Sequence, residues 1–169
     1  MQNFFNNLSK WLQIDRFRSK KPIVAVLNLN GPIGSSSSLG RSNLALASIS
    51  RDIDSAFKIH CIKAVALSIN SPGGSPVQSN LIFSRIRSLS EEKNIPVITF
   101  TEDVAASGGY WLACAGDEIY ADANSIIGSI GVISAGFGFN QLIEKIGIDR
   151  RLYASGAHKG MLDSFSPEN

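Results

Sequence analysis

The chain has 169 residues, 44% of them hydrophobic, which suits one domain with an ordinary core. Sixteen basic residues against fourteen acidic ones leave a formal net charge of +2. Because the basic residues are not gathered on one strand or helix with interleaved aromatic residues, the sequence lacks the electrostatic pattern of a nucleic-acid-binding protein. It also contains no run of about 18 apolar residues that would predict a membrane span, and no secretory signal.

Residues 1–21 are predicted to form a basic amphipathic helix. An apolar stripe recurs at helical spacing, formed by Phe4, Phe5, Leu8, Trp11 and Leu12, and four basic residues follow it at positions 16, 18, 20 and 21. Such a helix can lie in a membrane interface, or it can dock on its own domain or on a sister subunit. The first alternative predicts a membrane-associated protein, on the cytoplasmic face if no targeting segment is missing.

From residue 22 to residue 169, short β-branched runs alternate with helical patterns, which predicts an α/β domain with a mainly parallel sheet. Strands are predicted at 22–31, 64–70, 95–101 and 149–157, with short strands and turns within 117–134. Helices are predicted at 43–58, 105–116 and 140–147, and a further helix is predicted to begin at Ser75, a suitable cap residue, and Pro76. The closing Ser-Pro-Glu is typical of a helix start, so we expect the C-terminal helices of this domain to be absent from the chain.

The cysteines and histidines give no metal or cofactor site. Cys61 and Cys114 lie in apolar stretches, which predicts two buried free thiols rather than a disulfide. His60 and His158 are the two histidines, and no CxxC motif accompanies them. Tyr110 and Trp111 are interpreted as core residues rather than substrate contacts.

Two strand-to-helix junctions combine serine with paired glycines: "NSPGGSP" at 70–76 and "VAASGGY" at 104–110. Functional residues of an open α/β sheet gather at such junctions. Glycine pairs leave backbone N–H groups uncovered, and these groups can stabilise an oxyanion. Ser107 is therefore the candidate nucleophile, and the N–H groups of Gly74 and Gly108 are the candidate oxyanion donors.

A serine nucleophile needs a base. Lys159 follows the small-residue stretch "YASGAH", and a lysine can serve as base when burial disfavours its ammonium form. His158 is the alternative base. Taken singly, each candidate has a structural explanation: Ser107 as a residue at a helix start, Lys159 as a solvated loop residue and Ser129 as a turn residue.

Four motifs in this order resemble the bacterial signal peptide peptidase A family of serine-lysine proteases: "NSPGGSP" at 70–76, "VAASGGYWLA" at 104–113, "ANSIIGSIGVI" at 123–133 and "SGAHKGMLDSFSPE" at 155–168. The resemblance runs from about Pro22 to the end of the chain. It implies that Ser107 is the nucleophile, that Lys159 is the general base and that Ser129 holds the lysine amine by a hydrogen bond. It also implies that Gly74 and the backbone of Gly108 form the oxyanion hole.

The same resemblance implies a Clp protease/crotonase-like spiral of β-β-α units and a homo-oligomer shaped as a ring or dome. The expected activity is that of a serine endopeptidase cleaving extended apolar peptides, such as remnant signal peptides. The sequence departs from the family pattern in two places. Family members usually carry an N-terminal membrane anchor, where this sequence has only the amphipathic stretch, and C-terminal helices normally follow the lysine motif but are not expected in this chain. Two alternatives stay open: a crotonase-like acyl-CoA enzyme, whose oxyanion hole works without a serine nucleophile, and a non-catalytic assembly module.

Overall fold

The computed structural model describes residues 21–34, 43–156 and 158–167, so the helix predicted for residues 1–21 lies almost wholly outside the described residues. The chain divides into two units, Met1–Gly131 and Val132–Asn169. In the described part of the first unit, five parallel strands form one sheet: β1 (Ile23–Asn30), β2 (Ile62–Ser71), β3 (Val97–Ala106), β4 (Glu118–Ala121) and β5 (Ile126–Gly128). The strand order is β1-β2-β3-β4, and β5 also pairs with β3. The predicted α/β class with a mainly parallel sheet is confirmed.

Helices alternate with these strands. The first unit contains α1 (Leu46–Ala56), α2 (Pro76–Lys93) and α3 (Gly108–Ala113), and the second contains α4 (Asn140–Lys145). The predicted start of α2 is confirmed, because Ser75 Oγ accepts a hydrogen bond from the Gln78 N–H at 3.4 Å and Pro76 is the first helical residue. Proline is tolerated there because its missing N–H would have had no partner within the helix.

The core lies between the three helices and one face of the sheet. Alternate strand residues such as Leu29, Leu67 and Val97 are buried against helix residues such as Ile53 and Ile82. Fully burying one such side chain contributes about 1.5–3 kcal/mol, so this layer supplies much of the stability of the first unit. The helix α3 packs on β2 and β3 within this layer. The residue that precedes α3, Ser107, therefore lies at the end of the sheet.

The opposite face of the sheet, called the outer face below, carries the other strand residues: Val24, Val26, Ala64, Ala66, Ile98, Phe100 and Tyr120. The rings of Phe100 and Tyr120 stack with centroids 5.5 Å apart. Several of these side chains are exposed, with Val26 at 61% and Phe100 at 46%. Parallel sheets normally have both faces covered by other elements, but the described residues include no element that covers the outer face.

Along one edge, β3 pairs first with β4 and then with β5. Ile98–Thr101 pair with β4, whereas Val104–Ala106 pair with β5. Between these two segments the register with β2 shifts, since Ile69 pairs with Thr101 but Ser71 pairs with Ala105. Such an irregularity bends a strand and redirects the residues after it. The end of β3, and with it Ser107, is therefore aligned with β5.

Three sequence predictions are wrong in detail. Residues 149–156, which the structure describes, contain no strand; Arg150 instead forms an ion pair with Asp163 at 3.1 Å. Both cysteines are free, but Cys114 follows the end of α3 and is exposed, while Cys61 is half-buried. Trp111 is 41% exposed rather than part of the core, because its short helix buries Leu112 and Ala113 instead.

Asp117 ties the start of β3 to α2. The backbone N–H of Val97 donates to its carboxylate at 2.9 Å and Arg87 donates at 2.8 Å, and together they lower the pKa of this carboxyl. A carboxyl whose pKa falls on folding stabilises the protein above its unfolded-state value and loses that contribution as the pH falls through the folded-state value. The network therefore depends on the ionised form of Asp117.

We expect Asp117→Asn to lower the free energy of unfolding at pH 7, by less than about 1 kcal/mol because solvent screens this half-exposed group. Urea unfolding at pH 7 and again below about pH 3 would measure the difference, which should shrink in acid as the wild-type carboxyl takes up its proton. Asp52→Asn, at an exposed position of α1, is the control. A difference for Asp117→Asn that stayed constant with pH would contradict the role of the ionised carboxylate.

Candidate active site

The two serine-glycine junctions of the first unit lie in contact with each other. A Cβ placed on Gly73, in the loop before α2, would lie 2.7 Å from the Gly108 nitrogen and 2.9 Å from the Ser107 Cβ. A Cβ on Gly108 would lie 3.4 Å from the Gly74 nitrogen. The β2-α2 loop and the β3-α3 turn thus form one site, with Ser107, Gly74 and Gly108 as neighbours.

Ser107 occupies the single-residue turn between β3 and α3 in a rare backbone conformation, with φ of 51° and ψ of −119°. An L-residue in such a region costs about 1–3 kcal/mol and persists only where its surroundings enforce it. Here its N–H donates to the Gly128 carbonyl at 2.8 Å, and its carbonyl accepts from the Trp111 N–H at 3.1 Å. A strained serine between a strand and a helix is the arrangement that presents the nucleophile in enzymes of the α/β-hydrolase fold.

Gly74 has a backbone N–H directed away from the neighbouring chain segment. The Ile33 N–H donates to the Gly73 carbonyl at 2.9 Å, and the Ser75 N–H donates to the Ile33 carbonyl at 2.8 Å. In such a parallel bridge the intervening residue, Gly74, directs its own N–H to the other side. Its α-carbon abuts the Ile33 carbonyl oxygen, which leaves no room for a side chain. Two bare amide groups, from Gly74 and Gly108, therefore lie close to Ser107.

Gly73 provides a direct test of how tightly the two junctions pack. It has φ of +91°, and a Cβ there would lie 2.6 Å from the Ala106 carbonyl oxygen and 2.7 Å from the Gly108 nitrogen. Since both atoms belong to the backbone, neither can move aside cheaply. We expect Gly73→Ala to lower the free energy of unfolding by about 2–4 kcal/mol, through strain and overpacking together, as measured by urea denaturation.

Gly31→Ala is the matched control, because Gly31 has a similar φ of +94° but nothing lies within 4 Å of its Cβ position. This change adds strain without a clash and should cost about 1 kcal/mol. Equal losses for the two variants would show that the contact between the junctions is not tight.

Ser129 lies one residue beyond Gly128, the carbonyl partner of the Ser107 N–H. It also has a positive φ, of 53°, and its side chain is exposed. The pairing of β5 with the end of β3 thus brings the third motif of the sequence beside the second. No described residue of the first unit hydrogen-bonds to the Ser129 hydroxyl.

Lys159 belongs to the second unit, where it lies in a loop folded back on the start of α4. The Phe139 N–H donates to the Ser164 carbonyl at 2.6 Å, and the Phe139 and Phe165 rings lie 5.6 Å apart. The hydrogen bond from the Phe165 N–H to the Asp163 carboxylate is the main cause that lowers the pKa of this carboxyl, and the side chains of Ser166 and Arg150 lower it further. Lys159 itself is exposed, and so is His158. The burial expected for a lysine base is therefore not supplied by the described residues.

Two buried serines that sequence reasoning missed support the site. Ser71 Oγ donates to the Gly31 carbonyl at 2.7 Å and accepts from the Gly73 N–H at 3.1 Å. Ser79 Oγ donates to the Ser75 carbonyl at 2.9 Å and abuts the α-carbon of Gly108. Ser71 lies within the "NSPGGSP" motif and Ser79 lies shortly after it, so the small residues flanking the glycines were the available signal.

The fold and the site together define an α/β protein that presents a serine at a strained turn beside bare amide groups. Residues 90–169 match the model of peptidase family S49. The putative signal peptide peptidase SppA of Enterococcus faecium is 34% identical over 147 residues, which cover 85% of this chain and 42% of that one. The probable protease SohB of Buchnera aphidicola is also 34% identical, over 85% of this chain and 45% of that one. The similarity of residues 90–169 to peptidase family S49, and of the longer stretches to the SppA and SohB relatives, supports the resemblance to signal peptide peptidase A.

A higher identity is found to a protein with a different name. The Na(+)/H(+) antiporter NhaA of Brucella melitensis is 52% identical over 153 residues, which cover 90% of this chain but 21% of the antiporter. The match leaves most of the antiporter unaligned, so the similarity concerns one part of that protein. Among solved structures, a membrane-bound stomatin-specific protease matches with a TM-score of 0.49 and 24% identity, over 62% of this chain and 46% of that one. The chain spans less than half the length of each of these relatives.

Over the described ranges, 21–34, 43–156 and 158–167, no helix has the length and apolar character needed to cross a bilayer. Nor do those ranges bring three or more histidine, cysteine or acidic side chains together in a group able to hold a metal ion.

Proposed function

We propose that this chain carries the catalytic centre of a serine endopeptidase in which Ser107 is the nucleophile and Lys159 is the general base. The observation that carries the proposal is the enforced backbone conformation of Ser107 beside the amide groups of Gly74 and Gly108. A serine that only fills space in the core does not require a strained backbone conformation. In a nucleophile, the strained turn exposes the hydroxyl and orients it toward the substrate.

The reaction begins when the neutral Lys159 amine accepts the proton of the Ser107 hydroxyl and the serine oxygen attacks the peptide carbonyl carbon. The carbonyl π electrons move to oxygen, and the N–H groups of Gly74 and Gly108 hold the resulting oxyanion. When the tetrahedral intermediate collapses, the C–N bond breaks and the lysine gives its proton to the departing amine. Water then attacks the acyl-enzyme with the lysine again as base, which releases the acid and restores the serine.

The oxyanion donors account for a large part of the expected rate, since removing one such donor elsewhere lowers kcat by about 10²–10³-fold. In this mechanism the Ser129 hydroxyl orients the lysine amine. Because Lys159 is exposed, the proposal requires its burial in the working assembly, either within one chain or between neighbouring copies of a homo-oligomeric ring or dome. Which chain supplies the lysine does not change the chemistry.

The proposed substrate is an extended apolar peptide, for example a remnant signal peptide. Within the described residues β5 pairs only with β3, so its other edge is available for an added strand next to Ser107. Exposed apolar side chains lie along this stretch, with Ile126 at 66% and Ile130 at 77%. Backbone pairing with such an edge binds an extended chain, and apolar neighbours favour apolar side chains. The predicted membrane contact depends on residues 1–21 and stays a prediction.

Labelling with a fluorophosphonate, followed by peptide mapping, tests the proposal against the acyl-CoA and assembly alternatives. An activated serine displaces fluoride from phosphorus and becomes a stable phosphonate ester, so we expect one adduct, on Ser107, in the folded chain and none after denaturation. Turnover of short apolar peptides without turnover of acyl-CoA thioesters should accompany it. Absence of the adduct from an assembled, folded sample would contradict the proposal.

A further inference from the structure

Ser71, the last residue of β2, is a buried polar residue that the proposed mechanism does not use. Its hydroxyl donates to the Gly31 carbonyl at 2.7 Å and accepts from the Gly73 N–H at 3.1 Å. A serine hydroxyl that accepts from the N–H two residues later closes a tight turn of the backbone. Ser71 therefore ties the first residues of the β2-α2 loop, which carries Gly74, to the residue that follows β1.

The backbone of Ser71 also contacts the first turn of α3. A Cβ placed on Gly109 would lie 2.4 Å from the Ser71 carbonyl oxygen and 3.2 Å from the Ser71 Cβ, so these two chain segments touch. The preceding residue of α3, Gly108, faces the Gly74 nitrogen in the same way, with 3.4 Å from its Cβ position. Ser71 thus joins the two segments that supply the proposed oxyanion donors.

The direction of the Gly74 N–H depends on hydrogen bonds to Gly73. The Gly73 carbonyl, which shares a peptide plane with the Gly74 N–H, accepts from the Ile33 N–H at 2.9 Å. On its other side, the Gly73 N–H is held by the Ser71 hydroxyl. Because a glycine changes its torsion angles at little cost, these two bonds keep the Gly73 peptide units in place. Gly73 is buried while Gly74 is exposed, so the loop presents the Gly74 amide to a substrate.

We infer that Ser71 is a positioning residue of the oxyanion hole: its hydroxyl holds Gly73 so that the Gly74 N–H stays in register with Gly108 and Ser107. The inference rests on the proposed function, which places the oxyanion between Gly74 and Gly108. Donors of this kind act on charge that develops only during the reaction, so a small displacement should lower kcat more than it weakens peptide binding.

Ser71→Ala tests the inference, since it leaves the buried Gly73 N–H without its partner. We expect kcat on a short apolar peptide to fall about 10–10²-fold with KM nearly unchanged. Hydrogen exchange of the Gly73 amide, measured by NMR relative to the Leu67 amide in the middle of β2, should become about 10-fold faster. Ser71→Cys keeps a weaker donor and acceptor of similar shape and should give intermediate values of both.

Ser90→Ala is the matched control. Ser90 is also a buried serine, and its hydroxyl donates to the Ile95 carbonyl at 2.8 Å at the opposite end of α2. This variant loses a hydrogen bond of the same kind, so its free energy of unfolding should fall to a similar extent. Its kcat and its relative Gly73 exchange should nevertheless equal those of the natural protein.

Wild-type kcat in a folded Ser71→Ala variant would overturn the inference and leave the proposed function intact. An equal loss of kcat in Ser90→Ala would also overturn it, because the effect would then follow from lower stability alone. If Ser71→Ala does not fold, as judged by circular dichroism, Ser71→Cys replaces it, and wild-type kcat and exchange in that variant would overturn the inference. A natural chain with neither turnover nor a Ser107 adduct would contradict the proposed function instead, and the Gly73 exchange would still decide whether Ser71 holds the loop.

Discussion

Ser107→Ala should reduce peptide hydrolysis by about 10³-fold or more while leaving the domain folded, because it removes the attacking oxygen and little else. The oxyanion donors belong to the backbone, so they persist in the variant and should still bind peptide. The measurement is kcat/KM on a short apolar peptide, together with a urea unfolding curve that verifies the fold. We expect loss of kcat with KM nearly unchanged.

Ser84→Ala is the matched control, since Ser84 is an exposed serine of α2 outside the site. It should retain wild-type turnover. Hydrolysis that survived Ser107→Ala at the wild-type rate would remove Ser107 from the mechanism, and the assembly or acyl-CoA alternatives would then regain their place.

Lys159→Met should lower peptide hydrolysis by about 10³-fold or more, since methionine has a similar length and apolar stem but cannot accept a proton. The pH profile separates this role from a structural one. If Lys159 is the base, the pH dependence of wild-type activity should be absent from the residual activity of the variant. The folded state should be unaffected, because Lys159 makes no side-chain ion pair among the described residues.

Lys145→Met serves as the control for removing a lysine from the second unit. Lys145 is an exposed residue of α4 and stands outside the proposed mechanism, so its replacement should change neither the rate nor the pH profile. A Lys159→Met variant with the wild-type pH profile would show that another group, such as His158, is the base.

Much of the fold could be predicted because its signals are local. The β-branched run of β2 and the Ser75-Pro76 start of α2 each determine their own backbone. The strand predicted at 149–157 failed for the opposite reason, since a strand exists only where a partner pairs with it, and the described residues there have none. Predicting burial failed for Trp111 because an apolar composition does not determine which face of a six-residue helix is covered.

The candidate site was only partly accessible to sequence reasoning. Glycine pairs and a serine at two junctions pointed to Ser107, Gly74 and Gly108, but nothing local revealed that the junctions touch. That contact depends on the parallel pairing of β2 with β3, whose segments are separated by a whole helix. The roles of Lys159 and Ser129 came from resemblance to a family, and these roles remain predictions.

The unusual torsion angles at position 107 have a consequence for the energetics of the folded state. The amides that would receive negative charge are already in place, so little reorganisation remains when bonds change, and the cost is met during folding instead. A glycine at that position would relax the turn, because it adopts those angles freely. A Ser107→Gly variant should therefore have a higher free energy of unfolding than the natural protein, and it should lack the proposed peptidase activity. The serine side chain at this position thus sets stability against catalysis.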